Sequence, residues 1–421
     1  VTTAANRRAM LLLLVVSALI ISICMGLRQS LGLFMRPMTV DLGITAATFG
    51  FSLALQNIVW GLSQPFVGAL ADRYGPRPIL IGTALCYAGG LLLMVFSKSI
   101  PGGLEVAGFL TGIGTAGTGF GVLIGTIARA TPPEKRSQTV GAVAAAGSLG
   151  TMLLAPLGQA LIDGYGWQAG LLLFAVIAGS MALLALPVKA LATTLGTHPT
   201  AGEVAAPQAP LGEALREALE HRGFLAMTLA FFACGFQLVF ITTHLPQYLA
   251  LCGVPAGVGA TALALIGLFN TVGTYAFGVL GARYSQKRLL ALIYLLRTLF
   301  IVAFLLMPVT STSTLVFAAA MGLLWLGVAP LVTGIVGRVF GLAHFNSLYG
   351  IVFLSHQVGS FFGAWMGGVV FDLTGSYAVG WGALVVVGAI AFLLQWTMDD
   401  RPPAPHRADT GHTGAPASAP A

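Results

Sequence analysis

The segment GALADRYGPRPIL at 68–80 recurs as GVLGARYSQKRLL at 278–290, 210 positions on. Each copy joins one long apolar stretch to the next through a short basic turn. A single turn of this kind constrains little, but its return at the same place in a second apolar unit constrains the whole chain. The pattern is that of two parallel repeats of one membrane-embedded helical unit, an architecture that places any solute site where the repeats meet.

The chain is 57% hydrophobic and 8% charged, with a mean hydropathy of +0.90. A water-soluble core could not hide that much apolar surface, so lipid is the solvent for much of it. The formal net charge of +7 raises the question of nucleic acid. The basic residues, however, stand singly or in pairs between apolar runs, which excludes a nucleic-acid partner and points to a bilayer. Cys24, Cys86, Cys234 and Cys252 lie in or beside apolar runs without a CxxC pair, as small packing residues do. Arg7-Arg8 followed by the apolar run from Met10 to Ile23 looks like a leader, but no small-residue cleavage site follows. It reads as a retained first helix.

A spanning helix needs about 20 apolar residues. Twelve stretches fit, approximately at 9–35, 46–71, 78–97, 104–129, 137–163, 167–189, 223–250, 257–282, 288–308, 312–337, 345–372 and 377–398. With both termini cytoplasmic, all 20 Lys and Arg residues fall on the inner side except Arg28, Arg36, Lys98 and Arg297. The positive-inside rule therefore sets the orientation in a bacterial inner membrane.

At an offset of 209, Arg129 matches Arg338, Gly141 matches Gly350, Gly150 matches Gly359, and Asp163 matches Asp372. Six helices repeat as a unit. The expected organisation is an N-terminal six-helix bundle at 1–189, a cytoplasmic linker at 190–222, a C-terminal six-helix bundle at 223–398 and a disordered tail at 399–421. Within the linker, Leu211, Leu215, Ala218 and Leu219 share one helical face, which predicts an amphipathic helix on the membrane surface.

The residues Gly68-Ala69-Leu70-Ala71-Asp72-Arg73-Tyr74-Gly75-Pro76-Arg77 closely resemble the loop between helices 2 and 3 of the major facilitator superfamily. The resemblance implies an all-α membrane protein of twelve transmembrane helices in two pseudo-symmetric bundles. It also implies that this loop latches the two halves on the cytoplasmic side. Asp72 would sit at the positive amino end of a helix in the other half, while Arg73 and Arg77 reach carboxylates or carbonyls. Positive-inside topology alone would explain the arginines, but not Asp72 or the Gly75-Pro76 turn. The second copy has Ala282 in place of Asp72.

Within that superfamily, GLRQSLGLF at 26–34 and Lys135-Arg136 leading to Gly141 and Gly147-Ser148 resemble the bacterial monocarboxylate porter and oxalate/formate exchanger branch. The porters' acidic, Trp-rich lead-in to helix 1 is absent. Thr274 stands where they carry a helix 8 arginine, and Asn270 lies near the place of their helix 8 aspartate.

Polar side chains inside a membrane are expensive and mark functional positions. Arg28 lies about 25–28 Å along helix 1 from its inner end. It offers a planar fork for a carboxylate, or else snorkels to the outer headgroups. Gln29 follows it, and Gln237 is its repeat mate on helix 7. Gln56, Trp60 and Gln64 share a face of helix 2, either as a cavity wall or as interhelical glue. His356, flanked by Ser355 and Gln357, lies about 16 Å into helix 11. It and His244 are candidates for anion binding, with His356 also the candidate proton carrier; a satisfied packing histidine is the alternative for both. Asn270 completes the substrate-binding set, and Arg129 and Arg338 join the loop residues as gating candidates. Arg297, on a peripheral helix, is expected to snorkel to the inner surface.

No Asp or Glu falls in the middle of a span, and nothing resembles a nucleotide loop, a metal cluster or a nucleophile triad. The expected protein is thus not an enzyme and needs no cofactor or metal. It is a monomeric secondary carrier of a small organic anion, which the resemblance makes a monocarboxylate, with or without protons. A drug exporter of the same superfamily would want a membrane carboxylate, and a non-transporting sensor would want a soluble signalling domain.

Overall fold

The computed structural model describes residues 4–196, 211–340 and 345–401. Among them the chain is helical throughout, without a strand. The first repeat runs α1 (Ala4–Ser30), a 3-10 turn (Leu31–Phe34), α2 (Met35–Leu42), α3 (Ala46–Tyr74), α4 (Pro76–Val95), α5 (Gly103–Thr118), α6 (Phe120–Ala130), α7 (Pro133–Tyr165), α8 (Trp167–Leu184) and α9 (Val188–Leu195). A short helix, α10 (Leu211–Glu220), precedes the second repeat: α11 (Arg222–Leu251), α12 (Ala256–Arg283), α13 (Gln286–Leu306), α14 (Ser311–Leu324), α15 (Val328–Phe340), α16 (Phe345–Thr374) and α17 (Ala378–Thr397). The linker stretch 197–210, with Pro199, Pro207 and Pro210, and the tail from 402 lie outside the described residues.

Among the described residues, ten helices or runs of adjoining helices are long and apolar enough to cross a membrane. The two long helices beyond these ten are α3 and α16. They are repeat-unrelated partners packed against each other across the two halves. Both carry amides and hydroxyls along their inward faces, Gln56, Asn57 and Gln64 on one and Ser355, His356, Gln357 and Ser360 on the other. Polarity that lowers their hydropathy is what the interior of the bundle uses. Large apolar side chains such as Leu11, Val176, Leu183, Leu306 and Trp396 stand exposed around the outside, as a lipid-facing surface requires.

Two expected spans are each broken in the middle. The fourth breaks at Gly119 between α5 and α6, and the tenth at Trp325–Gly327 between α14 and α15, close to the same position in each repeat. The second break is held by two polar side chains. Arg297 donates from Nε (3.2 Å) and Nη2 (2.7 Å) to the Leu324 carbonyl and from Nη2 to the Trp325 carbonyl. Asn270 Oδ1 accepts the Leu326 N–H at 2.9 Å. Arg297 therefore does not snorkel. It is fully buried, and the loose carbonyls at the end of α14 supply acceptors that the membrane interior otherwise lacks.

The two ends of the bundle differ. At the end carrying the basic turns, the halves part around a cavity of about 3160 Å³ whose mouth is lined by Asp72, Arg129, Lys189 and Arg283. At the far end the halves touch. Gly50 lies against the Ala364 carbonyl and Gly368 against the main chain of Ala46, so close that a Cβ at either would strike backbone. Beside them Asp372, near the end of α16, accepts the N–H groups of Ala46 (3.1 Å) and Ala47 (2.7 Å). A carboxylate of the second half thus caps the first turn of α3 in the first half, where the helix dipole is positive.

Candidate substrate-binding site

The cavity narrows toward Arg28 on α1. Arg28 Nη2 donates to Asn57 Oδ1 of α3 at 2.5 Å, and its guanidinium lies over the Trp60 ring, 5.0 Å from the centroid. Nε is buried without a partner, while Nη1 is neither bonded nor buried. Among the described residues no carboxylate pairs with Arg28; the ion pairs are Lys98–Asp41, Arg129–Asp72, Arg216–Glu220 and Arg338–Asp400. An unneutralised guanidinium part-exposed in a membrane cavity offers free N–H donors and a positive charge to whatever enters. Arg28 lines the cavity rather than reaching the far surface.

Trp60 and Gln29 also line the cavity. Gln29 Nε2 donates to Thr151 Oγ1 at 2.9 Å, which ties α1 to α7. Trp60 Nε1 donates to Gln64 Oε1 at 2.8 Å, and the ring meets Phe353 of α16 edge-on. Gln56 is absent from the wall. It is buried among the helices of its own repeat, with its amide nitrogen unpartnered. The polar face of α3 is Asn57, Trp60 and Gln64, spaced i, i+3, i+7, and sequence reading missed Asn57 by one residue.

From the second half, His356 lines the cavity, its ring packed on Phe231 (4.9 Å between centroids) and Phe353 (6.1 Å). Its Nδ1 meets Gln357 Oε1 at 3.0 Å. Gln357 is fully buried and donates from Nε2 to the Asn57 main-chain carbonyl at 3.0 Å, so it joins the halves and does not face the cavity.

Three expected binding residues lie elsewhere. Gln237 is buried between α11 and α17, where its amide donates to the Leu384 carbonyl at 3.0 Å. Its repeat relation to Arg28 preserves register along the helix and says nothing of what packs on that face. His244 is buried under Phe240 and Tyr377, with Nε2 at 2.8 Å from the Ala364 carbonyl and Nδ1 at 3.3 Å from Tyr377 Oη. It is a packing histidine. Asn270 supports the α14–α15 break and donates from Nδ2 to Ser148 Oγ of α7 at 2.8 Å, again between halves.

Of the gating candidates, Asp72 does not cap a helix of the other half. Arg129 Nη1 of α6, in its own repeat, donates to Asp72 Oδ1 at 2.9 Å. With the halves parted at this end, the nearest cation belongs to the same half. Arg73 folds over its neighbour Tyr74 and Arg77 is exposed. Arg338 pairs with Asp400 at 2.8 Å, tying α15 to the segment after α17.

Comparison with known proteins agrees with this architecture. The family model described as Major Facilitator Superfamily matches residues 10–332. The chain is 26% identical over 382 residues to the uncharacterized MFS-type transporter YcxA of Bacillus subtilis (strain 168), covering 87% of this chain and 88% of that one. It is 27% identical over 371 residues to monocarboxylate transporter 13 of Rattus norvegicus, covering 88% and 83%. It is 23% identical over 389 residues to the oxalate:formate antiporter of Oxalobacter formigenes, covering 91% and 89%. Among solved structures, a bacterial homolog of the human lysosomal transporter Spinster, inward-facing and unoccupied, superposes with a TM-score of 0.70 at 16% identity, covering 96% of this chain and all of that one. The paired repeats, the basic turn at 68–80 and the central cavity are those of a multi-pass membrane transporter, and the chain belongs to the major facilitator superfamily.

Proposed function

We propose that this protein carries a small organic anion, a monocarboxylate, by alternating access, with Arg28 as the group that binds the carboxylate. The observation that carries the reading is Arg28 itself, held at the closed end of the cavity with no carboxylate partner among the described residues. Relatives named as monocarboxylate transporter and oxalate:formate antiporter support the substrate class. A single cation suits one carboxylate; the repeat-related position holds the neutral and buried Gln237, so no second cation faces Arg28 from there. In this reading the basic end faces the cytoplasm of a bacterial cell, segments 1–189 and 223–398 rock as units about the site, and 190–222 and the tail lie on the cytoplasmic side. His356, on the cavity wall, is the group through which protons would couple.

The test is uptake into proteoliposomes of labelled formate, acetate, pyruvate and benzoate, with oxalate as the dianion, with and without a pH gradient. Losing one charge-assisted partner in a desolvated site costs about 2–5 kcal/mol, a 30-fold or larger loss of affinity. Arg28→Ala should abolish uptake of the monocarboxylates with expression intact, and Arg28→Lys should keep part of it. His356→Gln should lose gradient-driven accumulation and keep downhill exchange. Wild-type uptake by the alanine variant would remove Arg28 from the site.

A further inference from the structure

Three hydrogen bonds connect Arg28 to His356 across the two halves, and a fourth fixes the amide between them. Arg28 Nη2 donates to Asn57 Oδ1 at 2.5 Å, and the other end of that amide, Nδ2, donates to the Leu53 carbonyl at 2.7 Å. With its nitrogen fixed on its own helix, Asn57 has only its oxygen to offer Arg28. Gln357 Nε2 donates to the Asn57 main-chain carbonyl, which leaves Gln357 Oε1 to accept from His356 Nδ1. The network assigns the Nδ1–H tautomer to His356. Asn57 and Gln357 are buried and lie near mid-depth, roughly 16 and 18 Å into their helices at 1.5 Å per residue.

We infer that Asn57 positions Arg28 and, through its bond with Gln357, reports occupancy of the site to the second half. The inference rests on the anion-carrier reading above. Asn57 Oδ1 takes one of the two N–H groups of Nη2. Either bidentate pose of a carboxylate (Nη1 with Nη2, or Nε with Nη2) also draws on Nη2, so the arriving anion competes with Asn57 for how that nitrogen is turned. When Arg28 turns to the anion, Asn57 loses its anchor on α1, and only Leu53 and Gln357 hold it. The Asn57–Gln357 bond stands between the cavity and the closed far end, where Gly50 meets Ala364 and Asp372 caps α3. Opening the far end must break it. Substrate thus loosens the contact that the far end has to release, while an empty Arg28 holds it in place.

The experiment measures uptake kinetics and far-end accessibility in proteoliposomes, with formate and pyruvate as probes. Accessibility is read from maleimide labelling of Ala47→Cys in a background without the native cysteines. Asn57→Asp places a permanent carboxylate on Arg28 and should raise KM about 30-fold or more; Asn57→Ala removes the competitor and should lower KM while turnover falls. Gln357→Ala keeps Arg28 and Asn57 paired. In wild type, probe should raise the labelling rate about fivefold, the effect of one neutral hydrogen bond released; in Gln357→Ala the rate should be high with or without probe. A residue with a merely structural role would move KM in the same direction in both Asn57 variants. That result, or probe-dependent labelling in Gln357→Ala matching wild type, overturns the inference. If instead neither probe is taken up by wild type, or Arg28→Ala transports normally, the carrier reading itself has failed.

Discussion

Two aspartates mark opposite ends of this molecule and do different things. Asp372 crosses from the second half to the amino end of α3 and accepts two main-chain N–H groups. Asp72, in the loop that resembles a latch, stays within its own half on Arg129. The difference is one of distance between halves. Where backbone meets backbone, a short carboxylate can reach across to a helix end; where the halves have parted, it can pair only with what moves along with it. The far end is therefore described by contacts between repeats and the basic end by contacts within them, as expected of a carrier open on one side.

The largest effect should come from breaking the contact that brings Asp372 within reach. Gly368→Leu puts a branched side chain against the Ala46 main chain, and overpacking of this kind costs about 1–3 kcal/mol. The far end should open, with labelling of Ala47→Cys rising by tenfold or more and uptake falling accordingly. Unchanged labelling would mean that α3 and α16 are not the seal.

Asp372→Asn should act in the same direction and more weakly. It keeps the shape and removes the charge at the helix end, which is worth about 0.3–1 kcal/mol. Labelling at Ala47→Cys should rise about two- to fivefold. A value equal to wild type would reduce Asp372 to a neutral cap.

Asp72→Asn should have the smallest effect on this state, because the basic end is already open. The Asp72–Arg129 pair is exposed, and such pairs contribute about 0.2–1 kcal/mol. Turnover should fall while the KM of downhill uptake holds, since the variant weakens closure of the basic end. A double-mutant cycle with Arg129→Ala sharpens the comparison. Coupling between the two positions measured by labelling at the basic end would confirm the pair, and strict additivity would dissolve it.

Much of this could be read from the chain. Repetition of the basic turn, the even spread of arginines and the apolar runs all follow from solvation by lipid, and each is periodic or one-dimensional. Facing is not. Gln56 and Asn57 differ by one residue and about 100° around the helix, and only the packing of α1 and α16 on α3 decides which meets Arg28. Gln237 and His244 lie off the cavity for the same reason, since α17 covers the face of Gln237 and α16 with Tyr377 covers that of His244. Arg297 defied expectation because its partners are main-chain carbonyls released by a break in another helix, which no side-chain pattern announces. The partner of Asp72 depends on which end is open, and a sequence does not state a conformation.

The buried arginine on α13 has a consequence for what may not pass. Arg28 in the first repeat and Arg297 in the second both lie inside the bundle, and the described spans hold no Asp or Glu at mid-depth to offset them. A sodium or potassium ion entering the middle of the bundle meets fixed positive charge from both repeats, in surroundings that screen poorly. A pore that stood open for an instant during turnover would still present that barrier to cations. In the anion-carrier reading, two guanidinium groups would thereby guard the membrane voltage at each cycle, one of them fully buried and off the cavity wall.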